Sequence, residues 1–244
     1  MTGHYISRAG HATDSSYYRG DVYVDHEAQS VGEHEEVLKL LKQYHAPGPV
    51  LEVGCATGGF LATLKDDGYE AVGVDISAWA VDRANERVGS NQAWVCNIED
   101  EELPVEITNK GPFGTLVLWA VFEHFRRPFS VLAKLDDVAL PGTMLFINTT
   151  NAESLTRALF KEQWEGYFDW THHGVDQVSV SFLREKLPPL GWRITHLSTH
   201  LAWDGSADPT RATIRDWYGA DARFRRLLSE RHLGDLITCV AIKE

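Results

Sequence analysis

Three sets of residues carry the types and spacing needed to hold and use a charged ligand. The first is Leu51-Glu52-Val53-Gly54-Cys55-Ala56-Thr57-Gly58-Gly59-Phe60, where an apolar strand runs into a glycine-rich turn and leaves as a helix. Glycines there let backbone approach a ligand closely. About 20 residues further on, a second strand ends in Gly73-Val74-Asp75-Ile76-Ser77, which puts a carboxylate beside the first turn, where it can accept hydrogen bonds from a ribose diol. The third set is His124, His172 and His173, whose rings have the near-neutral pKa that proton removal at physiological pH requires.

Two ligand classes use a strand, turn and helix of this kind. A dinucleotide turn reads G-x-G-x-x-G and docks pyrophosphate on the helix N-terminus. Here the glycines run G-x-x-x-G-G, with Glu52 just ahead of the first. A carboxylate there repels pyrophosphate but suits a ligand with a sulfonium, an ammonium and no phosphate, so the electrostatics favour S-adenosylmethionine (SAM). The string LEVGCATGGF followed by GVDIS resembles motif I and the second-strand acid of class I SAM-dependent methyltransferases, and the likeness runs from about Val50 to Trp192. That resemblance implies cofactor contacts from Glu52, Gly54, Cys55, Ala56, Thr57, Gly58, Asp75 and Ile76. It implies an adenine site at Asn97-Ile98-Glu99, where a polar side chain meets the exocyclic amine and an apolar one covers the ring. It also implies a contact from Trp119, which opens the stretch Trp119 to Phe125, and it includes the turn Leu140-Pro141-Gly142-Thr143. The family usually has glycine where this chain has Ala56; the loop is expected to form with that alanine kept out of positive φ.

Methyl transfer from a sulfonium is an in-line displacement with a neutral leaving group, so the protein must align the acceptor and take its proton where required. His124 resembles the histidine after the fourth strand in small-molecule O- and N-methyltransferases, including the ubiquinone-biosynthesis O-methyltransferases. In that group further acidic residues ahead of the Glu-His pair bind a divalent cation. Trp119 to Phe122 supplies no carboxylate, so no metal is expected. The competing reading of His124 is a ring that bonds a backbone carbonyl and orders its loop. Neighbours such as His172 and His173 seldom converge on one ion, which leaves a base or hydrogen-bonding role for one of them. Trp164, Tyr167, Phe168 and Trp170 either line an acceptor pocket or pack as a cap over the sheet. Tyr17, Tyr18 and Arg19 either close a lid over the cofactor or belong to a disordered tail.

The elements that must position these residues follow from the hydrophobic rhythm. Residues 50–53, 71–75, 93–96, 115–119 and 144–148 are continuous apolar runs of strand length, as expected of strands covered on both faces. Between them Val37, Leu38, Leu40 and Leu41, then Phe60, Leu61 and Leu64, repeat at helical spacing. Ser77 caps a helix running through Val81 to Val88, and Phe129, Leu132, Leu135 and Val138 mark another ending at Pro141-Gly142. Later come helices over 153–161 and 181–187, strands over 192–198 and 236–242, and a polar insertion over 204–234 with a helix near 223–232. The predicted fold is α/β: a doubly wound, mostly parallel, seven-stranded, Rossmann-like sheet with helices on both faces. The predicted layout is an N-terminal segment 1–32 and one domain 33–244, with an aromatic cap over 151–180.

The totals exclude several partners. Net charge is −12 and the compact basic cluster is Arg223, Arg225 and Arg226, a poor footprint for nucleic acid. No run approaches the ~20 apolar residues of a spanning helix, and the N-terminus lacks an apolar signal core, so a cytoplasmic protein is expected. Cys55, Cys96 and Cys239 lie far apart without CxxC spacing, as free thiols would. The expected activity is methyl transfer from SAM to an oxygen, with nitrogen second, of a small molecule from quinone, sugar or secondary-metabolite chemistry. The rival is a non-catalytic SAM-binding or protein-interaction module of the same fold; oligomeric state is not legible.

Overall fold

The computed structural model of the chain describes residues 31–169, 171–202 and 208–244. Tyr17, Tyr18, Arg19 and Trp170, named above for a lid and an acceptor pocket, lie outside the described residues. Seven strands form one sheet: β1 (Val50–Val53), β2 (Ala71–Asp75), β3 (Ala93–Val95), β4 (Phe113–Trp119), β5 (Ala139–Thr150), β6 (Trp192–His200) and β7 (Leu236–Lys243). Their order is β3-β2-β1-β4-β5-β7-β6. The first five run parallel, while β7 is antiparallel to both β5 and β6.

Side chains alternate across the sheet because the strand period is two. Leu51, Leu116, Leu118, Leu145 and Ile147 point to one face and pack with α4 (Val105–Thr108), α5 (Pro128–Leu135) and α7 (Val180–Lys186), while α6 (Leu155–Phe160) follows β5. Val50, Val117, Met144 and Phe146 point to the other and pack with α1 (Val31–Gln43), α2 (Gly59–Asp66) and α3 (Ala78–Val88). Both faces are therefore covered, which is why the strands read as unbroken apolar runs. A fully buried leucine such as Leu51 or Leu116 contributes roughly 2 kcal/mol of transfer free energy. The order reverses between β1 and β4, so the crevice at their carboxyl ends is where an open α/β sheet binds ligands.

Several features of the elements differ from the sequence expectation. The helix after β4 stops at Leu135; Asp136–Val138 is a 3-10 turn and β5 begins at Ala139, so the turn at Pro141-Gly142 falls inside the strand's span. Thr143 holds it there, its Oγ1 accepting from Leu140 N at 2.9 Å and donating to Phe113 O at 2.7 Å. Phe129 is 40% exposed, and the buried stripe of α5 is Val131, Leu132 and Leu135. The polar insertion carries two helices, α8 (Pro209–Ala220) and α9 (Ala222–Glu230). The first of them buries no residue; Trp217 stacks on Phe224 of the second. Asp208 and Asp221 start α8 and α9 by accepting from two backbone N–H groups each, the ordinary N-cap interaction. Among the described residues no helix is long and apolar enough to cross a membrane.

Candidate active site

The loops at the carboxyl ends of β1 to β4 enclose a cavity of about 380 Å³, within the range of small-molecule sites. Gly54 and Ala56 after β1, Asp75 and Ile76 after β2, and Asn97, Ile98 and Glu99 after β3 line it. Across from them stand Val121, His124, Phe125, Arg126 and Arg127 after β4, with Thr171 and His173 from the segment after β5.

Close approach explains the glycines. A Cβ on Gly54, at φ +77, would stand 2.4 Å from Val121 Cγ2, and one on Gly58, also at +77, would stand 2.9 Å from the Ala84 backbone. Ala56 departs from the expectation: its φ is 46, inside the left-handed region it was expected to avoid. Its N–H donates to Asp75 Oδ2 at 2.9 Å, and Ser77 N donates to Asp75 Oδ1 at 2.8 Å, so the second-strand acid holds the bend in that shape. An L-residue there costs roughly 1 kcal/mol. Ala56→Gly is therefore expected to raise stability by up to about 0.5 kcal/mol, the relieved strain less the ~0.4–1 kcal/mol of extra freedom glycine gains in the unfolded chain. Thermal or urea unfolding checks this, and a destabilised variant would show that the strain is absent.

The other cofactor candidates are not all at the cavity. Glu52 lies behind the wall, the residue 3% exposed, and its Oε2 has no hydrogen-bond partner among the described residues. Burial and then Asp75 push it up to about 8, so at neutral pH it is largely protonated and repels pyrophosphate less than the sequence suggests. Cys55 is buried against Gly73, and Thr57 is buried outside the cavity lining. Trp119 does not line the cavity either: it shares its face with Val117 and packs edge-on to His34 and Phe60. The Glu99 carboxylate accepts from Arg127 N at 2.7 Å, and Arg127 Nη2 reaches Asp100 Oδ1 at 2.5 Å, which ties the loop after β3 to the loop after β4.

The acceptor-side candidates divide similarly. Trp164 is fully buried, Tyr167 hydrogen-bonds Asp176 and Arg157, and Phe168 is half exposed under Arg211. None of the three lines the cavity. His124 and His173 do line it, and His172 lies behind His124 with the rings edge to face, 4.8 Å between centroids. His172 Nδ1 is 2.8 Å from Gly166 O. His124 Nδ1 is 2.8 Å from Thr171 Oγ1, which in turn donates to Asp169 Oδ1 at 2.6 Å. Burial, then His172, holds the His124 imidazole below its ordinary 6.5 against the opposing pull of Glu123 and Asp169. Sequence reasoning missed Thr171, Asp169, Arg126 and Arg127. The signal for the first two was an Asp-x-Thr turn directly ahead of His172-His173, with Thr171 N on Asp169 Oδ1 at 2.8 Å. Glu123, His124 and His172 bring one potential ligand atom each within 4.8 Å of one another, a grouping the sequence does not reveal. Thr149 Oγ1 already donates to Glu123 Oε2 at 2.9 Å.

Comparison with known proteins bears on this site. A family model described as a methyltransferase domain matches residues 24–236. Malonyl-[acyl-carrier protein] O-methyltransferase of Anoxybacillus flavithermus is 33% identical over 96 residues, covering 37% of this chain and 34% of that protein. Ubiquinone biosynthesis O-methyltransferase of Glaesserella parasuis is 27% identical over 106 residues, 42% of this chain and 45% of that one. The chain thus spans less than half the length of these relatives. Among solved structures, magnesium protoporphyrin IX methyltransferase of Synechocystis PCC 6803, with bound S-adenosylhomocysteine (SAH), superposes with a TM-score of 0.55 at 18% identity, covering 93% of this chain and 88% of that one. That likeness is one of fold.

Proposed function

The chain belongs to the methyltransferase-domain family, and from that premise we propose that it transfers a methyl group from SAM to an oxygen of a small-molecule acceptor. The observation that carries the proposal is a single cavity lined by Gly54 and Ala56 of the bend, by Asp75 and by His124. Donor and base thus face one space.

The residues fit the donor. Gly54 and Ala56 bring a bend without bulky side chains to the cavity wall, and Asp75 offers carboxylate lone pairs for ribose hydroxyls. Asn97 and Ile98 carry the adenine expectation. When bound, SAM supplies a methyl group on a sulfonium and leaves as a neutral thioether. Val121 and Phe125 give the cavity an apolar side that excludes water. His124 accepts the acceptor's hydroxyl proton as the oxygen bonds the methyl carbon and the carbon–sulfur bond breaks; the imidazolium then returns that proton to solvent. A neutral imidazole on the cavity wall favours a hydroxyl acceptor, since a neutral amine attacks with its own lone pair and needs no base beforehand. His172, with its ring against His124, supports this base rather than replacing it, and His173 lines the same cavity. The relatives named for malonyl and ubiquinone chemistry favour an acceptor from small-molecule biosynthesis. Three buried, unbridged thiols suit the reducing cytoplasm.

We take His124 to work without a metal, because an ion on its free nitrogen would occupy the lone pair that must receive the proton. The test is calorimetry with SAH and NADH, followed by SAH formation from SAM against a panel of phenols, hydroxy acids, sugars and amines before and after dialysis against EDTA. Micromolar SAH binding, no NADH binding and chelator-insensitive turnover of a hydroxyl acceptor are expected. NADH binding in place of SAH overturns the donor, turnover lost to EDTA and restored by a divalent ion overturns the metal-free base, and SAH binding without turnover leaves a non-catalytic module.

A further inference from the structure

We propose that the Thr171 hydroxyl, anchored on Asp169, is a positioning residue that fixes His124 in the tautomer with its proton on Nδ1 and its lone pair on Nε2. This rests on the base reading of His124 for its purpose, though not for its geometry.

A threonine hydroxyl has one proton and lone pairs to accept with. Thr171 Oγ1 lies 2.6 Å from Asp169 Oδ1 and 2.8 Å from His124 Nδ1. An ionised carboxylate can only accept, so the hydroxyl proton goes to Asp169, and the contact with His124 must be made by an Nδ1–H donating to Thr171. Asp169 is held in the ionised form: burial pushes its pKa up, but His172, His124 and two hydrogen bonds from Thr171 outweigh burial and bring it below the ordinary value. The carboxylate also accepts from Thr171 N at 2.8 Å, so the side chain and backbone of Thr171 are clamped by one group. His124 is left with its lone pair on Nε2, on a residue that lines the cavity. The chain order is carboxylate, hydroxyl, imidazole, with the hydroxyl relaying the carboxylate's preference to the ring.

Neighbouring contacts keep the two segments in register. Gly174 N donates to Glu123 O at 2.8 Å, and a Cβ on Gly174 would stand 2.0 Å from Phe125 O. The strip from Thr171 to Gly174 therefore lies directly against the backbone that carries His124. His172 closes the far side, with its ring against His124 and its Nδ1 on Gly166 O.

The test uses the full chain with 15N-labelled histidine, SAH calorimetry as the check of folding, and His124→Gln to assign the His124 ring signals. In the parent protein His124 is expected to show a protonated Nδ1 and an unprotonated Nε2 as one tautomer. Thr171→Val should give averaged signals from two tautomers with SAH affinity within about threefold of the parent, since the hydroxyl acts on the ring and not on the donor. Thr171→Ser, which keeps the hydroxyl, should restore the single tautomer. The proposal is overturned if the parent protein carries the lone pair on Nδ1, or if Thr171→Val keeps the parent tautomer. A tautomer lost in Thr171→Val together with full turnover in His124→Gln upholds the hydrogen bond and refutes the base.

Discussion

Replacing His124 by glutamine is expected to cut turnover about 100- to 10,000-fold, the usual contribution of a positioned general base, while SAH affinity stays within about threefold, a change of under ~0.7 kcal/mol. The asymmetry follows from where the charge develops. His124 receives a proton only as the acceptor oxygen attacks, so its removal costs the transition state and not the bound donor. The pH dependence is fixed in sign by the lowered pKa. The base form persists into mildly acidic solution, and the acid limb of kcat/KM should lie below 6.5, the ordinary histidine value. The same shift makes a stability statement: the unfolded chain binds this proton more readily than the folded one, so His124 takes nothing from stability above 6.5 and destabilises progressively as pH falls below it. A turnover loss matched by an equal loss of SAH binding would reassign His124 to the donor site, and an acid limb above 6.5 would mean that a different group titrates.

The sheet edge was legible because both of its signals are local. An unbroken apolar run bounded by glycines gives a buried strand and its exit turn, and Asp75 stands at the end of the second such run. The continuous apolar run 115–119 hid which face each residue takes, because alternate residues face opposite ways, and Trp119 packs against His34 and Phe60 rather than at the cavity. The groups behind His124 were hidden for a different reason. Thr171 lies 47 residues from it, and the clamp between Glu99 and Arg127 spans 28. Contacts of that range depend on how loops fold back over the sheet, which local spacing does not encode. The aromatics of the cap gave one signal for two environments, because buried tryptophan and pocket tryptophan share a composition. Ala56 was misjudged because a tertiary hydrogen bond to Asp75 offsets a local backbone preference.

That same hydrogen bond makes Asp75→Ala the second large effect, an expected 10- to 150-fold loss of SAH affinity, about 1.4–3 kcal/mol. Asp75 is 5% exposed, and its two oxygens each hold one backbone N–H, from Ala56 and Ser77. Alanine removes the acceptor for the ribose diol and at the same time frees the N–H that keeps Ala56 at positive φ, so the bend relaxes away from the shape that clears the ligand. Asp75→Asn tests whether both consequences need the full carboxylate. An amide keeps one acceptor oxygen but turns two donors toward either Ala56 N–H or Ser77 N–H, so asparagine is expected to behave more like alanine than like the parent. Combining Asp75→Ala with Ala56→Gly relieves the strain without restoring the acceptor. The double variant should recover the part of the loss due to the bend and keep the part due to the diol. The measurement is SAH calorimetry on all four proteins, with the SAH-induced rise in melting temperature as an independent readout of the same affinities. Affinity within threefold of the parent in Asp75→Ala would place the nucleoside away from this carboxylate and remove the donor site proposed for the chain.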